Sequence, residues 1–135
     1  MIVYVCVDNN LGMMFNNRRQ SRDRVVIEDI VNTVKNNTLY VDKYSAPLFA
    51  DKSCSIIADD DFLSKAGINA YCFVENRHIS EFYDKIISIT IYRWNRKYPS
   101  DFGLDIEPKS NMILTSSTEM VGYSHKIITK EIYIK

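Results

Sequence analysis

An uninterrupted apolar run, Ile2-Val3-Tyr4-Val5-Cys6-Val7, stands at the head of the chain and constrains the fold more than any other feature. Its β-branched and aromatic residues read as a buried strand, ended by the turn formers Asp8-Asn9-Asn10. A helix starts near Ser21: Ser21 can cap it, Asp23 suits its positive end, and Val26, Ile27, Ile30, Val31 and Val34 fall on one face at helical spacing. Between strand and helix lies a polar loop, residues 11 to 24. It crowds Arg18, Arg19, Arg22 and Arg24, the amides Asn16, Asn17 and Gln20, and one carboxylate, Asp23. Polar loops in that position are where α/β proteins usually carry ligand sites.

The rest of the chain continues the α/β pattern. Strands are predicted at Thr38 to Asp42, Cys54 to Ala58, Ala70 to Val74 and Ser88 to Trp94, the last with Ile89 and Ile91 on one face. A turn-rich piece spans Tyr44 to Phe49, Asp59-Asp60-Asp61 opens a loop or brief helix to Ala66-Gly67, and Ile79 to Ile86 reads as a short amphipathic helix. Asn36-Asn37 closes the first helix, and Pro99 and Gly103 break the region after Trp94. Two more strands, Met112 to Thr118 and Lys126 to Ile134, finish the chain in an antiparallel-looking pair. With 135 residues, 46 % of them hydrophobic, the chain reads as one domain, residues 1–135, with a mixed α/β sheet.

Composition excludes several classes. Seventeen basic residues balance 17 acidic ones, so the chain as a whole does not attract nucleic acid or an anionic membrane, and any basic site is local. No apolar run reaches the roughly 18 to 20 residues needed to span a bilayer, and the apolar start lacks a basic leader, which predicts a cytoplasmic protein. Cys6, Cys54 and Cys72 lie far apart in apolar runs without a C-x-x-C, as reduced thiols do.

The order of elements and several local motifs resemble the dihydrofolate reductase superfamily. Val5 to Met13 is similar to that family's first strand and the following leucine-glycine turn, and Ser21-Arg22-Asp23-Arg24 to the place where its acidic residue opens the first helix. Asn37 to Ser45 and Cys54 to Ala58 resemble its second and third strands. Tyr71 to Asn76 with Ile79 to Ile86 resembles the strand and helix around its glycine pair. Ser88-Ile89-Thr90-Ile91-Tyr92 resembles the next strand, and Ser124-His125-Lys126 through Lys135 the closing one. The resemblance implies a shortened, divergent dihydrofolate reductase-like domain: a mixed sheet, flanking helices and an antiparallel C-terminal strand pair.

Its departures fall on the cofactor elements. Where the family's glycine pair lets the backbone approach a pyrophosphate, this chain has Val74-Glu75-Asn76-Arg77, and the Glu opposes a diphosphate sterically and by charge. Where the family holds cofactor phosphates with glycine-arginine-x-threonine, it has Asp42-Lys43-Tyr44-Ser45. The strand and helix that embrace adenine are missing between Ala58 and Ala70. No cofactor is therefore expected, and NADPH only if the chain is a divergent reductase of a pterin-like or nucleotide-derived substrate.

The string Gly12-Met13-Met14-Phe15-Asn16-x-Arg18-Arg19-Gln20-Ser21-x-Asp23-Arg24 also resembles short bacterial proteins that carry the label ribonuclease Z. That hydrolase needs a histidine-rich two-metal site, and this chain has only His78 and His125. No phosphate loop, nucleophile elbow or H-E-x-x-H is present, and no metal site is predicted. Asp59-Asp60-Asp61 reads as a solvated helix start, since the spaced ligands and glycine of a calcium loop are absent. Arg93-Trp94-Asn95-Arg96-Lys97-Tyr98 mixes cations and aromatics as single-strand binders do; with zero net charge it reads rather as a sheet end with Trp94 packed inward. His125 reads as a turn residue beside a strand and His78 as part of a helix start.

Two readings of Asp23 stand side by side. As a first-turn acid it stabilises the helix dipole. As a buried carboxylate it would hold a donor-rich heterocycle, with Arg18, Arg19, Arg22 or Arg24 making bidentate contacts to an anion and favouring its ionised form. The predicted site is thus Arg18, Arg19, Gln20, Arg22, Asp23 and Arg24. The predicted function is binding of a small anionic or heterocyclic ligand, against two alternatives: a reductase, and a nucleic-acid or protein-binding module.

Overall fold

The computed structural model describes residues 1–135. In chain order the elements are β1 (Ile2–Val7), β2 (Gly12–Phe15), β3 (Arg18–Arg19), α1 (Arg24–Val34), β4 (Thr38–Val41), β5 (Ser55–Ala58), α2 (Phe62–Lys65), β6 (Tyr71–Phe73), β7 (Ser88–Arg93), β8 (Phe102–Gly103), α3 (Pro108–Asn111), β9 (Ile113–Met120) and β10 (Ile128–Ile134), with 3-10 turns at Ala46–Phe49 and Ser80–Lys85. A seven-stranded sheet runs β5-β4-β6-β1-β7-β10-β9. Strand β1 lies parallel to both neighbours, with Val3 opposite Cys72 and Ile89, while β10 is antiparallel to β7 and to β9. This is the mixed sheet with an antiparallel C-terminal pair that the sequence predicts. No helix is long and apolar enough to cross a membrane.

A central parallel strand has both faces covered, which is why Ile2–Val7 carries no polar residue. Val3, Val5, Val7, Ile89, Ile91 and Tyr133 build the core on one face. On the other, Tyr4, Leu39, Val41, Phe73 and Tyr92 pack beneath Val26, Ile27, Ile30, Val31 and Val34, the apolar face of α1. Each fully buried aliphatic side chain there contributes about 1.5–3 kcal/mol of gross transfer free energy, so this face seats the helix on the sheet.

Four local expectations are corrected. Loop 11 to 24 contains a hairpin: β2 pairs β3, and Gly12 and Met14 pair β8 in a second, three-stranded sheet. Its turn residues Asn16 and Asn17 sit at φ 50 and 61, the left-handed geometry that tight hairpins need and asparagine tolerates. The cap of α1 is Asp23, whose carboxylate accepts from the Val25 amide, rather than Ser21. Helix closure at Asn36-Asn37 falls instead at Lys35, in the left-handed region at φ 53, with the Asn37 side chain donating to the Val34 carbonyl. Finally, 79 to 86 is a 3-10 turn rather than an α-helix, because burial falls on its flanks, Ile79 and Ile86, and none of residues 80 to 85 is buried. All three cysteines are free thiols, Cys72 buried and the others half-buried.

Candidate functional site

At the carboxyl end of β1 the chain turns on Asp8. Its fully buried carboxylate accepts from the amides of Asn10 and Gly12, each at 2.8 Å, from Tyr98 N at 3.2 Å and from Gln20 Nε2 at 3.1 Å. Burial pushes this carboxyl up, and the bonds from Gly12, Asn10, Tyr98 and Gln20 more than reverse it, holding it below its ordinary value. The hairpin is thereby fixed, and the chain is delivered to the N-terminus of α1.

There Asp23 is 2 % exposed. Besides the Val25 amide it accepts from the amides of Tyr123 (3.0 Å), Ser124 (2.7 Å) and His125 (3.1 Å), and its Oδ2 lies 2.9 Å from His125 Nδ1. Burial raises the Asp23 carboxyl, but the His125 ring and the Tyr123, Val25 and Ser124 amides outweigh it and bring its pKa to about 2. An ionised carboxylate can only accept, so Nδ1 carries the ring proton. In the neutral imidazole Nε2 is then an acceptor, and Ser21 Oγ stands 2.9 Å from it, with Tyr98 Oη at 3.3 Å. Trp94, buried as predicted, stacks on the His125 ring with centroids 4.5 Å apart.

Beside Asp23 lies a cavity of about 350 Å³. Ile27, Pro47 and Leu48 give it an apolar floor, Tyr123 and Ser124 form a wall, and Arg22, Arg24 and Lys52 rim it. None of the three cations has a carboxylate within ion-pairing distance, and the Arg24 guanidinium lies 3.7 Å above the Tyr123 ring. The one acid lining the cavity, Asp23, already has its oxygens engaged by amides and His125. The arrangement suits a compact anion attached to an apolar ring.

The predicted residues divide into two groups. Arg22, Asp23 and Arg24 line the cavity. Arg18 projects from the hairpin into solvent, Gln20 is engaged with Asp8 and the Pro99 carbonyl, and Arg19 makes a bidentate ion pair with Glu75 at 2.8 and 3.0 Å. The side-chain partner of Asp23 is His125, not an arginine, and with the backbone amides it holds the carboxylate ionised, a different cause from the one expected. Sequence reasoning missed Lys52, Leu48 and Tyr123, which join the site only through the fold, and the burial of His125. The signal available for the last was the Ser124-His125 turn ahead of the closing strand. No cluster of three or more His, Cys, Asp or Glu side chains is arranged to hold a metal ion.

No family model matches the chain, and no curated protein matches its sequence. A solved structure described as dihydrofolate reductase from Enterococcus faecalis, complexed with NADP(H) and RAB-propyl, superposes with a TM-score of 0.68. The match covers 98 % of this chain and 94 % of that one at 9 % sequence identity. The fold is therefore dihydrofolate reductase-like, and at that identity the likeness carries fold alone.

Proposed function

We propose that this chain binds a small anionic ligand with a flat or heterocyclic body in the cavity at the start of α1, without acting as a reductase. The observation that carries the reading is the trio Arg22, Arg24 and Lys52, uncompensated by carboxylates above the apolar floor of Ile27 and Leu48. An anion seated there gains charge-assisted hydrogen bonds, and the floor accepts a ring. Its three free cysteines fit a reducing cytoplasm.

A divergent NAD(P)H-dependent reductase is the second reading, favoured by the NADP(H) complex of the structural neighbour. Against it, the segments similar to the family's phosphate-binding turns are committed to internal ion pairs. Glu75 is held by Arg19 and by the Ser45 hydroxyl at 2.7 Å, and buried Asp42 by Arg77 at 2.5 Å. Neither arginine is free for a phosphate, and both acids repel one.

A thermal-shift comparison separates the readings, because only ligands of the native state raise the transition. Adenosine 5′-monophosphate and folic acid are expected to raise it, adenosine and NADPH to leave it unchanged. A shift with NADPH exceeding all others would move the balance to the reductase. Equal shifts with adenosine and its monophosphate would refute an anion site.

A further inference from the structure

The Ser21, His125 and Asp23 side chains are linked in series, Oγ to Nε2 at 2.9 Å and Nδ1 to Oδ2 at 2.9 Å. We propose that they form a nucleophile, base and carboxylate relay, and that the adjoining cavity takes small anionic esters, which Ser21 cleaves by acyl transfer first to itself and then to water. The substrate class rests on the anion-site reading; the relay stands on its own geometry.

Each member has the environment its role requires. Asp23 and His125 are 2 % and 5 % exposed, so the carboxylate fixes the ring's tautomer out of reach of water. Trp94 on one ring face holds the imidazole plane. Ser21 alone is half-buried, and it lines a narrow crevice that shares Arg22, Asp23, Ile27 and Leu48 with the cavity. The hydroxyl thus stands at the border of the cationic site. A purely architectural role is already fulfilled by the bonds that the amides of Tyr123, Ser124 and His125 donate to Asp23, which pin the turn without any use of the Ser21 hydroxyl. Tyr98 Oη, 3.3 Å from Nε2, is the longer and weaker competitor for the same lone pair.

The chemistry balances without a further reagent. Ser21 Oγ adds to the ester carbonyl as its proton passes to His125 Nε2; the carbon–oxygen bond to the leaving alkoxide then breaks, and Nε2 returns the proton to it. Water attacks the acyl-serine, gives a proton to Nε2, and Oγ leaves and recovers that proton, releasing a carboxylic acid.

The test uses the whole chain with two esters, p-nitrophenyl hemisuccinate, which is anionic, and p-nitrophenyl acetate, which is neutral. Intact-mass detection of a fluorophosphonate adduct accompanies the kinetics. The expected result is one adduct, mapped to Ser21, and hydrolysis that falls by roughly 100-fold or more in both Ser21→Ala and His125→Gln. Ser21→Ala should retain the thermal shift with adenosine 5′-monophosphate, showing a folded and ligand-competent chain. The Arg22→Glu/Arg24→Glu double variant should slow the hemisuccinate by a larger factor than it slows the acetate. No adduct on Ser21, or unchanged hydrolysis in Ser21→Ala, would overturn the relay while leaving the binding site standing. Equal rates for the two esters, changed by the same factor in the double variant, would overturn the anionic substrate class.

Discussion

Asp23 Oδ2 and His125 Nδ1 meet at 2.9 Å although 102 positions separate them in the chain. That contact joins the N-terminus of α1 to the turn ahead of β10 and makes Asp23 far more than a helix cap. A capping acid alone contributes about 1 kcal/mol. Asp23→Asn instead places an amide N–H₂ against backbone donors whichever way it flips, since Val25 and Tyr123 donate to Oδ1 and Ser124 and His125 to Oδ2. The substitution is expected to cost about 3 kcal/mol in urea unfolding. A loss of about 1 kcal/mol or less would reduce Asp23 to its capping role.

The same carboxylate sets an acid limit. Its pKa falls from an ordinary 3.8 to about 2 on folding. A carboxyl depressed in this way gives stability that is complete above the unfolded value and lost as pH falls toward the folded one. Between pH 4 and pH 2 the native chain should therefore lose on the order of 2 kcal/mol that the Asp23→Asn variant does not lose. Parallel stability curves for the two over that range would contradict the assignment.

Gly122 is the third element of this joint. A Cβ there would stand 2.4 Å from the His125 carbonyl oxygen and 2.8 Å from Asp23 Oδ2, both inside contact distance and neither on a flexible side-chain end. Gly122→Ala should push the turn off Asp23, lowering stability by about 1–3 kcal/mol and weakening the shift with adenosine 5′-monophosphate, because Tyr123 and Ser124 wall the cavity. Wild-type stability and an undiminished shift would show that the turn accommodates a methyl group without moving.

What could be read in advance follows from the range of each signal. The buried strand Ile2–Val7 and the apolar face of α1 announce themselves because their periodicity is local and repeated. The three-stranded sheet was hidden because β3 and β8 are two residues long, too short for any alternation, and its Asn16-Asn17 turn sits in a stretch dominated by arginines. Arg18, Arg19, Arg22 and Arg24 are neighbours in sequence, yet the hairpin turns Arg19 toward Glu75, 56 positions away, while Arg22 and Arg24 open onto Lys52 and Tyr123. His125 reads in sequence as an ordinary turn residue because everything that gives it meaning, Asp23, Ser21 and Trp94, comes from elsewhere in the chain.

The cavity beside Asp23 is where the proposed ligand sits. A nitrogen-15 NMR titration of the whole chain with adenosine 5′-monophosphate and with folic acid addresses it residue by residue. Saturable shifts are predicted at the amides of Arg22 to Arg24, Leu48, Lys52, Tyr123 and Ser124, and these should vanish in the Arg22→Glu/Arg24→Glu variant. Silent amides at those positions with both compounds, or shifts gathered instead around Asp60, Arg77 and Phe82, which line a separate groove, would contradict a ligand site beside Asp23.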